Sequence, residues 1–460
     1  MRMAAGADVL YALVRALMRG LLAVFYERVD VVGQERIPRE GPLIVAANHH
    51  NSLVDGMLLM AVVPRRLRSL ANAPLFKHPL IAPFLRLAGA LPVQRRQEAG
   101  NDPAKNDALF AATTETLRAG GAILIFPEGR TQPEPVLLTL RTGAARMLLA
   151  AEAAPGSAPV TLLPLGLVFH APGTFRTGRA LVLVGETVRA DDARALAAAG
   201  SSEAAARLLT ERLTEALRGQ IVEADDRETL RLLEWVEDLW REETGGTGTD
   251  DRARISWRQR AMQTYRQIQQ ADSARASAFR QEIGAFASEM ERAGVAARQL
   301  SHDYSPGRAV RFILGEGLPL LLGTPLALAG IVVHAIPYQL TGLAVRLLAR
   351  TAEEEATDKI VAGLLFYPLV WVFEGFWVLR LGGQWALLAF LVALLPLGFF
   401  AVAWQTRLTH LAQEARAFVR FFGDRDLPRR LRERRRALAA DLRAMAQTAP
   451  ELWPEGGAKR

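Results

Sequence analysis

The segment Trp385–Trp404 constrains the fold more than any other part of this sequence. It contains twenty residues without a charge and is bounded by tryptophans, and about 20 apolar residues cross the hydrocarbon core of a bilayer. Ile360–Leu379 is nearly as apolar and carries one acid, Glu374. Only Arg380–Gln384 lies between the two segments. The pattern therefore predicts a tight transmembrane helical hairpin within residues 351–405.

The charged residues indicate a protein that contacts membrane lipids. The chain has 460 residues and a formal net charge of +8, a balance that suits nucleic acid or anionic lipid. Its basic clusters flank apolar stretches and form no separate basic module, which favours lipid and argues against nucleic acid. The chain has no cysteine, which excludes disulfides, thiolate zinc sites, iron–sulfur clusters and a cysteine nucleophile.

Residues 1–28 contain an apolar run that is interrupted by Arg15 and Arg19. The two arginines are four residues apart, so they share one face of a helix, with leucines and valines opposite. No small-residue cleavage site follows the run, which argues against a secretory signal peptide. The pattern predicts an amphipathic, membrane-associated helix that lies in the interface. A helix packed on its own domain fits the same pattern equally well.

Residues 29–200 alternate short β-branched runs with helical stretches, which predicts an α/β domain with a sheet flanked by helices. Residues 201–305 turn polar and helical, with a turn-rich linker near 245–251. We expect two helices in the α/β domain, Asn106–Ala119 and Thr142–Glu152. Its expected strands are Val29–Val32, Leu43–Ala47, Ala122–Phe126, Leu162–Phe169 and Leu181–Val184.

The stretch Ala47–Asp55 reads ANHHNSLVD and directly follows one of the predicted strands. Histidine accepts a proton near neutral pH, and a nearby carboxylate fixes its tautomer and stabilises its charged form. A histidine and an aspartate with four or five residues between them, at a strand-to-helix junction, come within mutual reach. We therefore predict a general-base dyad of Asp55 with His49 or His50.

Three further motifs follow in order: Gly89–Arg95 (GALPVQR), Ile125–Thr131 (IFPEGRT) and Leu162–Leu167 (LLPLGL). Together with the histidine and aspartate, they resemble the four ordered motifs of the glycerolipid acyltransferase superfamily. That superfamily comprises the glycerol-3-phosphate and 1-acylglycerol-3-phosphate O-acyltransferases. The resemblance covers about residues 25–190 and implies an α/β acyltransferase domain with a mixed sheet at 29–200.

The resemblance also implies roles for individual residues. In the family a base deprotonates an alcohol that attacks a thioester, and the second and third motifs bind the acceptor. Arginine matches phosphate oxygens two at a time, so Arg95 is the leading candidate for the acceptor phosphate, assisted by Arg130 and Arg141. The other implied substrate-binding residues are Asn48, Asn51, Ser52, Gly89, Phe126, Pro127, Glu128, Gly129 and Thr131. No metal and no cofactor is implied, since acyl-CoA or acyl carrier protein brings the acyl group as a substrate.

The spacing leaves the identity of the base open. Four intervening residues select His50, whereas the Asn-His pair favours His49, which has five residues before Asp55. The yeast-type glycerol-3-phosphate/dihydroxyacetone-phosphate acyltransferase subgroup shows the longer spacing, with a similar asparagine between the two residues. The sequence is most similar to that subgroup and favours His49. Arg130 departs from the pattern, because many members place a small residue directly after the glycine.

The arginines beyond Trp404 put the tail, residues 406–460, on the cytoplasmic side by the positive-inside bias. We expect this tail to be a basic helix that touches anionic headgroups. A third apolar segment, Leu318–Tyr338, is interrupted by one glycine and two prolines. If it crossed the membrane, the α/β domain would lie outside, away from acyl-CoA. We therefore predict that residues 306–350 are re-entrant or interfacial.

The resemblance implies an integral membrane enzyme of phospholipid biosynthesis with its catalytic domain on the cytoplasmic face. It would transfer an acyl group to a hydroxyl of glycerol 3-phosphate or lysophosphatidate. Two alternatives are an acyltransferase for another lysophospholipid and a non-catalytic membrane lipid-binding scaffold with the same fold. The expected partners are membrane lipids, the acyl thioester and the acceptor, and no oligomeric state is predicted.

Overall fold

The computed structural model describes residues 2–79, 81–94, 103–132, 134–170, 175–176, 178–244, 250–295, 299–300, 307, 311–348, 351, 354–424 and 426–450. The chain divides into two compact units. The first combines Met1–Glu223 with Ala344–Ala362. The second combines Ala224–Leu343 with Gly363–Arg460.

A seven-stranded sheet forms the centre of the first unit. Its order is β1-β7-β6-β2-β5-β3-β4, and all neighbouring pairs are parallel except the antiparallel pair β6 and β7. The strands are β1 (Arg28–Val32), β2 (Leu43–Ala47), β3 (Leu67–Asn72), β4 (Leu91–Val93), β5 (Ala122–Ile125), β6 (Thr161–His170) and β7 (Arg179–Val184). The prediction of a mixed sheet flanked by helices is confirmed. The sequence missed β3 and β4, because β3 carries polar residues and β4 has only three residues.

Helices cover both faces of this sheet. Along β2, Leu43 and Val45 face one core cluster, whereas Ile44 and Ala46 face the other. A strand that is buried on both faces reads as a continuous apolar run. The helices of this unit are α1 (Arg2–Phe25), α2 (Ser52–Val62), α3 (Ala82–Leu87), α4 (Pro103–Arg118), α5 (Gly143–Glu152), α6 (Asp191–Ala198) and α7 (Ser202–Arg218).

The apolar face of α7 belongs to the core beneath the sheet. Leu209, Leu213 and Leu217 are buried there, in the same cluster as Ile44 of β2. The α/β unit therefore extends to Glu223, beyond the boundary at residue 200 that the sequence pattern predicted.

The N-terminal helix α1 packs on its own domain along one face. Arg15 and Arg19 lie 3.4 and 2.9 Å from the carbonyl oxygen of Ala61 and donate hydrogen bonds to it. Donors from outside are needed there, since the last carbonyls of a helix such as α2 have no partner within the helix. The arginines thus point to the domain and not to headgroups, and membrane contact of α1 stays a prediction. The buried face consists of Tyr11, Val14, Met18, Leu22 and Phe25.

Four amphipathic helices form the core of the second unit. They are α8 (Arg227–Thr244), α9 (Asp251–Ala271), α10 (Ser273–Ala293) and, from the basic tail, α13 (Leu427–Gln447). In α13 the residues Leu431, Leu438 and Leu442 are buried against α8 and α10. The apolar face of the tail therefore packs on protein, and its contact with headgroups stays a prediction. Of the predicted linker near 245–251, residues 245–249 lie outside the described residues.

The third apolar segment forms one uninterrupted helix, α11 (Leu318–Leu348), after a π turn at Ile313–Gly317. Its 31 residues correspond to about 46 Å, and both prolines are accommodated inside it. The prediction of a re-entrant segment is wrong for these residues, because such a segment must reverse its direction. The interfacial alternative stays a prediction.

The last apolar region is α12 (Glu355–Gly423), which is broken at Gly383, where φ is 72° and ψ is −172°. A Cβ on Gly375 would lie 3.4 Å from a methyl group of Leu387, although twelve helical residues span about 18 Å. The chain therefore folds back on itself at Gly383. Both α11 and α12 are long and apolar enough to cross a membrane. The crossing by the two arms of α12 stays a prediction, whereas none is predicted for α11.

Candidate active site

The candidate site lies at the carboxyl edge of the sheet. Strands β2 and β5 are parallel neighbours, with Ala46 opposite Ile125. The residues that follow two such strands emerge at the same edge. Two of the motifs, Asn48–Asp55 and Phe126–Thr131, are therefore brought together by the fold.

His49 and Asp55 form the centre of this site. The ring Nδ1 of His49 lies 2.8 Å from Oδ2 of Asp55, and the backbone N–H groups of His50 and Asn51 donate to the same oxygen, also at 2.8 Å. The Asp55 side chain is fully buried, whereas that of His49 is 14% exposed. Because a carboxylate oxygen accepts, the hydrogen of the neutral imidazole is placed on Nδ1. The lone pair is then on Nε2, available to a substrate.

The ring of His50 makes a different contact. Its Nδ1 lies 3.0 Å from the carbonyl oxygen of Gln132, and only its backbone N–H reaches Asp55. A backbone N–H from Gln132 in turn donates to the carbonyl oxygen of His49 at 3.1 Å. Of the two histidines that the sequence left open, the structure thus brings the His49 ring to the carboxylate.

Two residues of the third motif hold His49 in place. The Phe126 ring stacks on the imidazole with 4.1 Å between ring centroids and 14° between the planes. Glu128 accepts from the His49 backbone N–H at 2.8 Å through Oε1 and from the Leu138 N–H at 3.0 Å through Oε2. The Glu128 side chain is buried, and this burial raises its pKa. Both residues, expected to bind substrate, contact His49 in this structure, and Glu128 also contacts the backbone of Leu138.

The asparagines of the first motif are buried and bonded to protein. Asn48 exchanges two hydrogen bonds with the backbone of Leu167 in β6, donating through Nδ2 at 2.9 Å and accepting through Oδ1 at 2.7 Å. Asn51 donates through Nδ2 to the hydroxyl of Tyr26 at 2.9 Å. Ser52 begins α2 with a positive φ of 45°. The side-chain contacts of the two asparagines tie the loop to β6 and to Tyr26.

Tyr26 is a residue of the site that sequence reasoning missed. Its side chain is buried between α1 and β1, and its hydroxyl accepts the bond from Asn51. Burial and the negative charge of Asp55 raise the pKa of this phenol well above its ordinary value. Nothing in the local sequence distinguishes this tyrosine, since its partners lie 25 or more residues further along the chain.

Arginines supply positive charge beside the third motif. Arg141 donates its backbone N–H to the carbonyl of Pro127 at 2.8 Å, and its side chain lies over Gly129. Gly129 has a φ of +72°, and a Cβ there would lie 2.7 Å from Nε of Arg141, so glycine permits this approach. Within the described part of the chain, no carboxylate forms an ion pair with Arg141 or with the exposed Arg130.

The remaining predicted residues divide into three groups. Arg95 lies outside the described residues. Gly89 ends α3 in a turn with a φ of +72°, so its described role is conformational. Pro127 is buried and Thr131 is half-buried in the loop after β5. Among the described residues, no group of three or more histidines or carboxylates is arranged to hold a metal ion.

Comparison with known proteins gives this geometry a context. The family model described as Acyltransferase matches residues 28–168. An uncharacterized acyltransferase of Schizosaccharomyces pombe is 40% identical over 83 residues, which are 17% of this chain and 12% of that protein. Glycerol-3-phosphate O-acyltransferase 2 of Saccharomyces cerevisiae is 29% identical over 135 residues, which are 29% of this chain and 18% of that protein.

One solved structure is also similar. It is the 1-acyl-sn-glycerophosphate (LPA) acyltransferase of Thermotoga maritima, with 20% identity and a TM-score of 0.34 over 47% of this chain and 83% of that one. The two relatives from yeasts are matched over less than a fifth of their own length. The family model falls on the α/β unit and ends well before the apolar helices.

Proposed function

We propose, from the acyltransferase domain that residues 28–168 form, that this protein transfers an acyl group from an acyl thioester to a hydroxyl of glycerol 3-phosphate or lysophosphatidate. The observation that carries the proposal is the 2.8 Å contact between the partly exposed His49 ring and the fully buried carboxylate of Asp55. The similarity to glycerol-3-phosphate O-acyltransferase 2 of Saccharomyces cerevisiae supports an acceptor of this class.

His49 acts as the general base in this proposal. Its Nδ1–H donates to Asp55, so Nε2 takes the proton of the acceptor hydroxyl as the oxygen attacks the thioester carbonyl. Asp55 stabilises the imidazolium that forms. When the tetrahedral intermediate collapses, the carbon–sulfur bond breaks and the thiolate leaves with the proton that Nε2 returns. The acyl group thus passes directly to the acceptor oxygen, and no covalent enzyme intermediate is needed.

The acceptor phosphate is bound by arginine in this proposal. Arg141 and Arg130 belong to the loop that begins at the same motif as Glu128, and neither has an ion-pair partner among the described residues. Guanidinium groups bind phosphate through two parallel N–H···O bonds. Arg95, the residue that the motif comparison placed first, completes the proposed phosphate site.

We also propose that the two arms of α12 cross the membrane. In this proposal the first compact unit, Met1–Glu223 with Ala344–Ala362, is the catalytic unit and lies on the cytoplasmic face. The support is the chain reversal at Gly383 between two apolar arms. Arg407, Arg416 and Arg420 follow the second arm, and arginines next to a span favour the cytoplasmic side. A domain on that side has access to acyl-CoA.

The test is release of free CoA by the purified full-length chain in lipid nanodiscs. Palmitoyl-CoA is supplied with glycerol 3-phosphate, with lysophosphatidate or without an acceptor. We expect release that depends on one of these acceptors. His49→Gln is expected to lower turnover about 10²–10⁴-fold, the range for loss of a general base.

His50→Gln is the matched control, because it changes the neighbouring imidazole that is bonded to Gln132. It should keep most of the turnover. Acceptor-independent release alone, or equal activity of the His49→Gln protein and the unmodified protein, contradicts the proposed function.

A further inference from the structure

The first two turns of α12 belong to the catalytic unit. The division of the chain assigns Ala344–Ala362 to the same compact unit as the sheet. Ala356 and Ile360 are buried in the core cluster that α1 and α2 share. They are four residues apart, so they lie on one face of the helix. The apolar helix therefore starts as part of the domain that carries the dyad, outside the segment that the family model matches.

Val361, the next residue along, faces a second apolar cluster. This cluster is built on Ile81, Leu85 and Ala90, and both Val361 and Leu53 pack against it. Leu53 lies in the first turn of α2, two residues before Asp55. A continuous apolar stretch thus runs from the turn that carries the dyad carboxylate to the beginning of α12.

Ile81, Leu85 and Ala90 are buried, whereas other side chains along this stretch are only partly covered. Leu53, Phe76 and Val361 are all half-buried, and Leu87, at the end of α3, is 38% exposed. Beyond Ala362 the same helix continues without a charge as far as Glu374. Apolar side chains that run from the turn of Asp55 to the start of a long apolar helix suit one class of ligand, a long aliphatic chain.

We propose that Leu53, Phe76, Ile81, Leu85 and Val361 line the path along which the acyl chain of the donor runs from the dyad to the bilayer. We name this set the acyl path. The inference rests on the proposed function, since it assigns the donor's chain to the same site. The phosphate of the acceptor is assigned to the arginines of the loop after β5, and with glycerol 3-phosphate as the acceptor the donor brings the only long aliphatic chain. Val361 is then a residue that determines specificity although it lies about 300 positions from the first motif.

The test uses acyl-CoA donors of 4 to 16 carbons with one acceptor. Each methylene that becomes buried is worth about fourfold in kcat/KM, so kcat/KM should rise with chain length for the unmodified protein. Val361→Trp fills the path and is expected to lower kcat/KM for the 16-carbon donor tenfold or more. The four-carbon donor, whose chain is expected to be too short to reach Val361, should be used as before.

Val361→Ala provides a second variant that preserves the fold. It removes two methyl groups from the wall and should lower kcat/KM for long donors a few-fold, again without an effect on the four-carbon donor. Leu369→Trp is the control, because this side chain lies on the same helix beyond the catalytic unit and is 62% exposed. It should leave the dependence on chain length unchanged.

The outcomes separate the acyl path from the proposed function. If the unmodified protein uses no donor of any length, the proposed function fails. If it is active but the Val361 variants keep its dependence on chain length, or lose activity equally for all donors, the acyl path is wrong and the function stands.

Discussion

Glu128 holds the backbone of His49, although the two residues are 79 positions apart. Its Oε1 accepts from the His49 N–H at 2.8 Å and its Oε2 from the Leu138 N–H at 3.0 Å. Only 3% of its surface is exposed, so a buried carboxylate sets the position of the predicted base. The motif pattern predicts that Glu128 binds substrate, whereas its described contact holds the backbone of His49, the predicted base.

Glu128→Gln is expected to change how stability depends on pH. Burial raises the pKa of Glu128 in the folded protein, so the unfolded chain releases this proton at lower pH than the folded protein does. The unmodified protein therefore loses stability as pH rises from the ordinary range of a glutamate, about 4.3, through the raised pKa. Glutamine does not titrate, so the variant should gain in Tm relative to the unmodified protein over this interval.

Thermal unfolding of both proteins between pH 4 and 8 measures this difference. Glu134→Gln, an exposed carboxyl in the same loop, is the control and should show no such trend. A Tm difference between the Glu128 variant and the unmodified protein that stays constant with pH contradicts the prediction.

Asp55→Asn should abolish most of the turnover while the protein stays folded. The remaining amide oxygen can still accept from the backbone N–H groups of His50 and Asn51, but the charge that stabilises the imidazolium is gone. We expect turnover to fall about 10²–10⁴-fold and the affinity for glycerol 3-phosphate to be retained. Initial rates of CoA release and calorimetric binding of the acceptor measure the two effects, and unchanged turnover would remove Asp55 from the mechanism.

Tyr26→Phe should impair both stability and turnover. The substitution removes the hydroxyl that accepts from Asn51, and a buried donor without a partner costs about 1–3 kcal/mol. Because Asn51 also donates its backbone N–H to Asp55, we expect kcat to fall more than KM rises.

Tyr11→Phe is the matched control for this prediction. Its hydroxyl bonds to the backbone of Leu67 and Arg65, away from the dyad. It should lower Tm without changing kcat. Equal effects of the two substitutions on kcat would show that Tyr26 has a structural role alone.

Arg141→Gln should weaken the use of acceptors that carry a phosphate. A hydrogen bond to a charged group contributes about 1.5–3 kcal/mol, which corresponds to about 10–150-fold in kcat/KM for glycerol 3-phosphate. Activity with monoacylglycerol, which has no phosphate, should be unaffected. Arg146→Gln changes an exposed arginine on α5 and is the control. If Arg141→Gln lowers activity similarly with glycerol 3-phosphate and with monoacylglycerol, phosphate binding by Arg141 is contradicted.

Local patterns accounted for much of the fold. Continuous apolar runs gave β2, β5 and β6, because strands covered on both faces carry no polar alternation. The two arms of α12 were evident from two twenty-residue apolar stretches, one without a charge and one with Glu374 as its single charge. By contrast, β3 was missed, because it includes Arg68 and Asn72 and looks like a loop when its neighbours in the sheet are unknown.

The candidate site was predictable in its residues but not in their partners. The spacing of Ala47–Asp55 left two histidines open, and only the fold turns the His50 ring to Gln132 and the His49 ring to Asp55. Similarly, Arg15 and Arg19 suggested a face for headgroups, although both arginines bond to the end of α2.

By itself, the sequence determined the α/β domain, the apolar arms and the stretch that holds the candidate base, because apolar runs and short motif spacings can be read along the chain. Tertiary structure alone decided which histidine meets the carboxylate, that Glu128 and Tyr26 support the dyad, and that α12 begins inside the catalytic unit. Apart from His49 and Asp55, which are six positions apart, these relationships join residues 25 to about 300 positions apart. A contact between such distant residues is set by the folding of the whole unit, so no local sequence pattern can predict it.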